Sequence, residues 1–208
     1  MVSIKFLTLL LLTNSDVKEK WFKNIEEGKL QEMQNIYQEL RTKGLERSVK
    51  KWKPKSESFE GNTSLTSATV YGHLHICKWL VRENLVDVNL KNDDGWNVLL
   101  YVMLCTAICR RRPEITRWLL EENSIDINAQ TNDGYTALHL AGRNIEVTRM
   151  LLEHNPLLLK NNRGWTALDQ RRMDKMDWPA WLEIEGFDEI NYKIDQIINL
   201  LKTHYNIR

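Results

Sequence analysis

Apolar side chains recur along this chain at helical spacing, in short stretches that polar residues separate. Each stretch places apolar residues at positions i, i+3 and i+4, which together form one face of an α-helix. The three clearest copies are Ile76, Trp79 and Leu80; Ile115, Trp118 and Leu119; and Val147, Met150 and Leu151. The pattern therefore predicts a series of amphipathic helices, each packed by one face.

A glycine followed by a Thr-x-Leu-like segment marks a polar turn between successive parts of this pattern. The four turn glycines, spaced 34, 39 and 30 residues apart, are Gly61, Gly95, Gly134 and Gly164. Glycine permits a positive φ at such a turn, and Thr136 is placed to cap the helix that begins after it. Short segments such as Val86–Asn89 precede the turns and predict short hairpin or turn fingers. The repeating unit is thus helix, turn, helix and finger, with a period of about 33 residues.

Three segments carry a family resemblance. Gly134–Ala141 reads Gly-Tyr-Thr-Ala-Leu-His-Leu-Ala and resembles the G-x-T-P-L-H-x-A motif of the ankyrin repeat family. Gly72–Ile76 is similar to the start of that family's second helix, and Asp126–Ala129 is similar to its D-V-N-A segment. The resemblance covers about residues 59–205, and more weakly 16–42. It implies an all-α ankyrin-repeat solenoid, in which stacking of neighbouring repeats supplies the stability.

We predict about five repeats, with degenerate caps at the two ends. Their approximate bounds are 16–58, 59–91, 92–128, 129–160 and 161–205. The first is a capping helix pair followed by a basic linker, and the array from 59 to 205 carries insertions near 105–113 and 172–187. Arg171 stands where the family packs an alanine, and an arginine is tolerable there if that face is the exposed end of the array.

Residues 1–15 form an apolar N-terminal segment that has two interpretations. Lys5 precedes the apolar run Phe6–Leu12, which is the form of a short secretory signal. The run is short for that role, and Asn14–Asp16 is typical of a helix N-cap, so we favour a structural segment. No apolar run reaches the roughly 18–20 residues of a membrane span.

Composition and charge narrow the classes of function. The chain has 29 Lys and Arg against 28 Asp and Glu, and this balance argues against bulk affinity for nucleic acid or an anionic membrane. Cys77, Cys105 and Cys109 are too few for a disulfide framework, which favours a reducing location inside the cell. We expect the cytoplasm, with nuclear entry and secretion as alternatives.

Catalytic and cofactor motifs are missing from the sequence. It has no phosphate-binding glycine loop, no G-x-S-x-G and no H-E-x-x-H. Asn92–Gly95 is similar to part of a calcium loop, but Leu90 occupies the position of the first ligand. We therefore expect a protein that is not an enzyme and has no metal or cofactor.

An aromatic residue directly follows the turn glycine in three consecutive repeats, at Trp96, Tyr135 and Trp165. The resemblance implies that this position faces the concave groove of the array. Trp and Tyr contribute strongly to protein interfaces, so we expect the three rings to bind a partner; the alternative is that they only cover the neighbouring finger. The polar residues beside them favour a partner with Lys or Arg and apolar anchors. These residues are Asp93, Asp94, Asn132, Asp133, Asn162 and Arg163.

Two further segments have more than one interpretation. Residues 41–55 hold seven Lys or Arg and one Glu, and Lys50, Lys51 and Lys53 within them resemble a short nuclear-import signal. A solvated linker is the simplest interpretation, while import-receptor or nucleic-acid binding is the alternative function. The insertion 178–187 either covers the open end of the array or forms a separate partner-binding knob.

The resemblance and the aromatic residues together imply a non-catalytic protein-interaction module. An adaptor, an inhibitor and an effector directed at host proteins all fit this description. We expect a monomer when the partner is absent, and nucleic acid is a disfavoured partner. Asn128 lies in a context that resembles the sites of asparagine hydroxylases, although a structural bond across the finger is the simpler role for its side chain.

Overall fold

A computed structural model describes residues 4–52, 63–109, 113–121, 125–142, 144–176 and 187–207. The regular structure of these residues is helical, and no strand occurs among them. The expected fingers are therefore tight turns, without strand pairing in the described part. The chain divides into two compact units, residues 1–93 and 94–208. The insertions predicted near 105–113 and 172–187 fall partly outside the described residues, at 110–112 and 177–186.

The described residues of the first compact unit form two helix pairs. Its helices are α1 (Ile4–Glu26), α2 (Leu30–Thr42), α3 (Ser64–Tyr71) and α4 (Leu74–Arg82), with a 3₁₀ turn at Glu46–Lys51. Helix α1 packs on α2 and α3, and α3 packs on α4. Trp21 is fully buried between them, and its Nε1 donates to Ser64 Oγ at 2.9 Å.

Helix α1 begins earlier than the sequence pattern suggested. It runs without a break through Asn14–Asp16, so the N-cap predicted there is wrong and no helix end separates residues 1–15 from the capping pair. The leucine-rich run before these residues and the Lys and Glu residues after them are good helix formers, which offsets the weaker propensity of Asn, Ser and Asp.

The turn between α1 and α2 is held by two histidines at the start of α4. Gly28 has φ +72°, as a turn glycine requires, and a Cβ there would lie 2.7 Å from His73 Cε1. His73 Nε2 lies 3.0 Å from Glu26 O, and His75 Nε2 lies 3.1 Å from Gly28 O. This close contact leaves no room for a side chain at residue 28.

Three helix pairs are described in the second compact unit. Its helices are α5 (Val98–Cys109), α6 (Pro113–Glu121), α7 (Ala137–Leu140), α8 (Ile145–Leu152), α9 (Ala167–Met176) and α10 (Phe187–His204). Helices α5, α7 and α9 pack in one row, while α6, α8 and α10 pack in a second. The predicted helical faces are confirmed, because Ile115, Leu119 and Leu151 are at most 2% exposed.

A side-chain cap begins the first helix of each repeat after the first. Thr63 Oγ1 accepts from Thr66 N at 3.3 Å, and Asn97 Oδ1 accepts from Leu100 N at 3.0 Å. Thr136 forms a capping box with His139, which confirms the cap predicted there. Each cap satisfies a backbone N–H that the first turn of a helix leaves without a partner.

Arg171 is buried, which corrects the expectation of an exposed face. It lies on α9 and is 5% exposed, and its Nη2 donates to His139 O at 3.3 Å. Helix α9 is the last described helix of its row, and it packs on α7 in that row and on α10 in the second row. Ile194, Ile197 and Leu201 form a buried stripe on α10.

Candidate protein-binding surface

Each finger of the second compact unit is a tight turn closed by its own backbone. Thr131 N donates to Tyr135 O at 3.0 Å, and Thr131 O accepts from Gly134 N at 2.9 Å. Asn161 occupies the place of Thr131 in the next finger, where its N donates to Trp165 O at 2.9 Å. These bonds set the direction in which the aromatic residue leaves each turn.

Hydrogen bonds also join neighbouring fingers at their tips. Asn132 N donates to Asp94 O at 2.9 Å, and Asn162 N donates to Asp133 O at 2.9 Å. Asn162 Nδ2 adds a bond of 2.9 Å to Asn132 O. We call these four residues and Arg163 the tip row; all five are exposed. The row is therefore a surface whose backbone is held in place by the fold.

The aromatic residues predicted to bind a partner are each half-buried: Trp96, Tyr135 and Trp165. Two of the rings rest on the helix of their own repeat. The centroid of the Trp96 ring lies 5.4 Å from that of Tyr101, and the Tyr135 ring lies 5.7 Å from His139. Part of each ring remains accessible, and its role in binding a partner stays a prediction.

Arg163 gives the tip row a positive end. Its guanidinium carbon lies 5.7 Å from the centre of the Trp165 ring, within range of a cation–π interaction. Asp94 and Asp133 supply two acidic side chains in the neighbouring fingers. A bound segment would meet carboxylates along one part of the row and a stacked guanidinium at the other.

His139 joins the fourth repeat to the finger of the fifth. Its Nδ1 accepts from Thr136 N at 3.2 Å, so Nε2 carries the proton and donates to Trp165 O at 3.0 Å. Burial lowers the pKa of His139 from its ordinary value of 6.5, and the positive charge of Arg171 acts in the same direction. The neutral ring therefore holds the backbone beside Trp165.

Sequence analysis did not identify the residues that hold the fingers together. Gln130 Nε2 donates to Gly134 O at 2.8 Å and to Lys160 O at 3.2 Å, so it bridges two fingers. Asn161 Oδ1 accepts from Trp165 N at 3.1 Å. A polar residue recurs three positions before each turn glycine, and this repetition was an available signal for Asn161, whereas Gln130 lies four positions before Gly134.

The remaining predicted site residues are not members of the tip row. Asp93 is exposed and belongs to the first compact unit. Lys50 is exposed and its Nζ lies 3.4 Å from Asn84 Oδ1. The side chain of Lys51 and the whole of Lys53 lie outside the described residues, so a basic binding segment at 41–55 stays a prediction.

Asn128 has the structural role that was the simpler expectation. Its Oδ1 accepts from Leu157 N at 2.7 Å, in the following repeat. The bond satisfies a backbone donor across the finger. Hydroxylation of Asn128 stays a prediction.

A cluster of metal-ligating side chains or a long apolar helix would mark a metal or membrane site in the described part of the chain. No group of three or more His, Cys, Asp or Glu residues there is arranged to hold a metal ion. None of the helices described is both long and apolar enough to cross a membrane.

A family model described as ankyrin repeats (3 copies) matches residues 35–130 and 104–170. The matches cover more than half of the chain, and the helix pairs and fingers are those of the same fold class. The protein belongs to the ankyrin repeat family, an all-α class whose members generally act as protein-interaction modules and are typically non-catalytic. No curated protein sequence matches the chain.

Proposed function

We propose that this protein is a non-catalytic interaction module that binds a basic segment of a partner protein. The binding surface is the tip row together with the accessible parts of Trp96, Tyr135 and Trp165. The observation that carries this proposal is the set of hydrogen bonds that joins Asp94, Asn132, Asp133 and Asn162 through their backbones. A surface held in this way loses little conformational entropy when a partner binds.

Charge and aromatic content define the partner. The carboxylates of Asp94 and Asp133 favour Lys or Arg, and they speed the encounter with a positive segment. The half-buried rings offer apolar contact close to those charges, where aromatic side chains contribute most to affinity. The partner segment therefore carries Lys or Arg next to an apolar anchor.

Binding of this kind suits an adaptor, an inhibitor or an effector directed at host proteins. An adaptor would hold the basic segment while a second surface holds another protein. An inhibitor or an effector would cover the segment and exclude its usual partner. All three roles depend on the same contact at the tip row.

Affinity capture from cell lysate, followed by mass spectrometry, tests the proposal. The test variant is Asp94→Lys/Asp133→Lys, and we expect it to lower recovery of the partner by about tenfold or more. The matched control is Glu121→Lys/Glu153→Lys. Both control residues are exposed at the ends of helices α6 and α8, where a positive charge suits the helix dipole.

The two variants change the net charge equally, so a difference between them reports the location of the charge. Equal recovery by wild type, test variant and control would place the interface elsewhere. A second variant, Trp96→Ala/Trp165→Ala, checks the rings after circular dichroism has confirmed its fold. If Asp94→Lys/Asp133→Lys loses the partner and Trp96→Ala/Trp165→Ala still recovers it, the binding surface is the tip row alone.

A further inference from the structure

A stripe of side-chain amides lies on α2, in the first compact unit. It consists of Gln31, Gln34, Asn35 and Gln38, at positions i, i+3, i+4 and i+7 of one helical face. Three of these residues are exposed and Gln34 is half-buried. Gln31 Nε2 donates to Asn35 Oδ1 at 3.2 Å, so two of the four amides are joined.

The stripe forms one wall of a groove between α2 and α4. The groove has a volume of about 330 Å³, and its inner surface includes Tyr37 and Trp79. The two rings meet edge to face, with centroids 5.9 Å apart, and they are 9% and 5% exposed. Arg82 and Glu83 at the end of α4 complete the lining. We call this feature the amide groove.

The lining favours an occupant that is rich in hydrogen-bonding groups and carries no net charge. Each carboxamide offers both a donor and an acceptor, which are the groups that a peptide unit carries. The two charged lining residues pair with each other, because Arg82 Nε lies 3.5 Å from Glu83 Oε1. The groove therefore presents little net charge to attract an acidic or a basic ligand.

Size and shape point to a short piece of extended chain. The volume is at the lower end of the range of about 300–1,000 Å³ seen for ligand sites. An extended peptide can pair its N–H and C=O groups with a row of side-chain amides while one side chain contacts the rings beneath.

We propose that the amide groove binds an uncharged, extended peptide segment of a partner protein. Main-chain groups of the segment pair with Gln34, Asn35 and Gln38, and one apolar side chain sits against Trp79 and Tyr37. This surface lies wholly within the first compact unit, and the proposal does not depend on the tip row.

Selection from a phage-displayed library of random peptides of about seven residues, on the full-length protein, tests this proposal. We expect the selected peptides to be uncharged, with one apolar residue. Calorimetry with a synthetic copy should show binding that weakens by about tenfold or more in Gln34→Glu/Gln38→Glu. These substitutions keep the size of the side chains but remove their N–H donors.

The control is Glu32→Gln/Glu39→Gln, the reverse exchange at two exposed positions of the same helix. It breaks the exposed ion pair between Glu39 and Lys43, which contributes little to stability. Binding to the control should equal that of wild type. Thermal unfolding followed by circular dichroism checks that all three proteins are folded.

Four results would overturn the proposal. The first is that the selection yields no peptide, and the second is that the peptide binds the Gln34→Glu/Gln38→Glu variant as tightly as wild type. The third is that the selected peptides are rich in Lys or Arg and bind that variant more tightly, which would indicate a basic ligand. The fourth is that light scattering shows a dimer of wild type but not of the variant, which would make a second copy the occupant.

Discussion

Gly134 and Gly164 hold the same place in consecutive fingers but have different neighbours. Both have positive φ, at +81° and +77°. A Cβ on Gly134 would lie 2.9 Å from Asn161 Cα and from Asn162 N, which are backbone atoms, whereas a Cβ on Gly164 meets nothing within 4 Å. The first glycine is required by both conformation and contact, and the second by conformation alone.

We therefore expect Gly134→Ala to destabilise the protein more than Gly164→Ala. The left-handed backbone costs alanine about 1–2 kcal/mol at either position. Crowding against the next finger adds about 1–3 kcal/mol at residue 134 only. Urea unfolding of the two variants and wild type measures the difference, and equal losses would show that the contact at Gly134 relaxes without cost.

The stability of the folded protein should depend on pH because the ring of His139 is buried. In the unfolded chain its pKa is near the ordinary value of 6.5, and in the folded protein burial lowers it. Below about pH 6.5, His139 therefore binds a proton in the unfolded chain but not in the folded protein. The stability is complete above that pH, and it decreases as the pH falls from there towards the folded pKa.

The measurement compares wild type with His139→Gln between about pH 7.5 and about pH 5. The other four histidines are present in both proteins, so they cancel in the comparison. We expect wild type to be the more stable at the higher pH and its advantage to shrink on acidification. If stability depends on pH in the same way in wild type and in His139→Gln, then His139 does not titrate differently in the folded and unfolded states.

At the scale of the helix, the caps explain where the short helices begin. Asn144 is the N-cap of α8, and its Oδ1 accepts from Val147 N at 3.1 Å. A helix of eight residues has few hydrogen bonds, so the loss of one at its first turn lowers the stability of the helix considerably.

Replacing this cap gives a test at the same scale. We expect Asn144→Ala to lower the free energy of unfolding by about 1 kcal/mol. Asn144→Asp should retain most of the stability, because its carboxylate accepts the same bond and suits the helix N-terminus. Thermal unfolding measures the stability of both variants. An equal loss of stability in Asn144→Ala and Asn144→Asp would assign the effect to the amide group of Asn144.

At the scale of the whole molecule, each compact unit has a core of its own. The first holds Trp21, Met33 and Leu80, and the second holds Leu99, Leu119 and Leu151; all are fully buried. In repeat proteins stability arises from contacts between neighbouring repeats. A cavity in one core should therefore act most strongly on the helices that surround it.

Leu119→Ala tests this local response. We expect the cavity to cost about 2–5 kcal/mol, and amide hydrogen exchange to speed up in α5–α8 more than in α2. The control is Arg117→Ala, which removes an exposed side chain from the same helix α6. Uniform acceleration across both compact units would instead show that the chain opens as a single cooperative body.

Much of the fold could be predicted from the sequence, because it depends on local chemistry. The spacing of Ile76, Trp79 and Leu80 defines a buried helical face whatever the neighbouring repeat contains. The turn glycines and the Thr136 cap depend on residues only a few positions away. The helix start was placed wrongly because the propensities of Asn14–Asp16 are weak compared with the helix formers on either side.

The sequence by itself determined the repeat, the family and the positions of the aromatic and acidic finger residues. Only the tertiary structure decided how those fingers are held, because Asn132 and Asn162 bond to atoms 29 to 38 residues away in the chain. It also decided the burial of Arg171 and the meeting of the α2 amides with Trp79. Such features depend on which helices stack, and stacking is set by the packing of whole repeats, which no local pattern records.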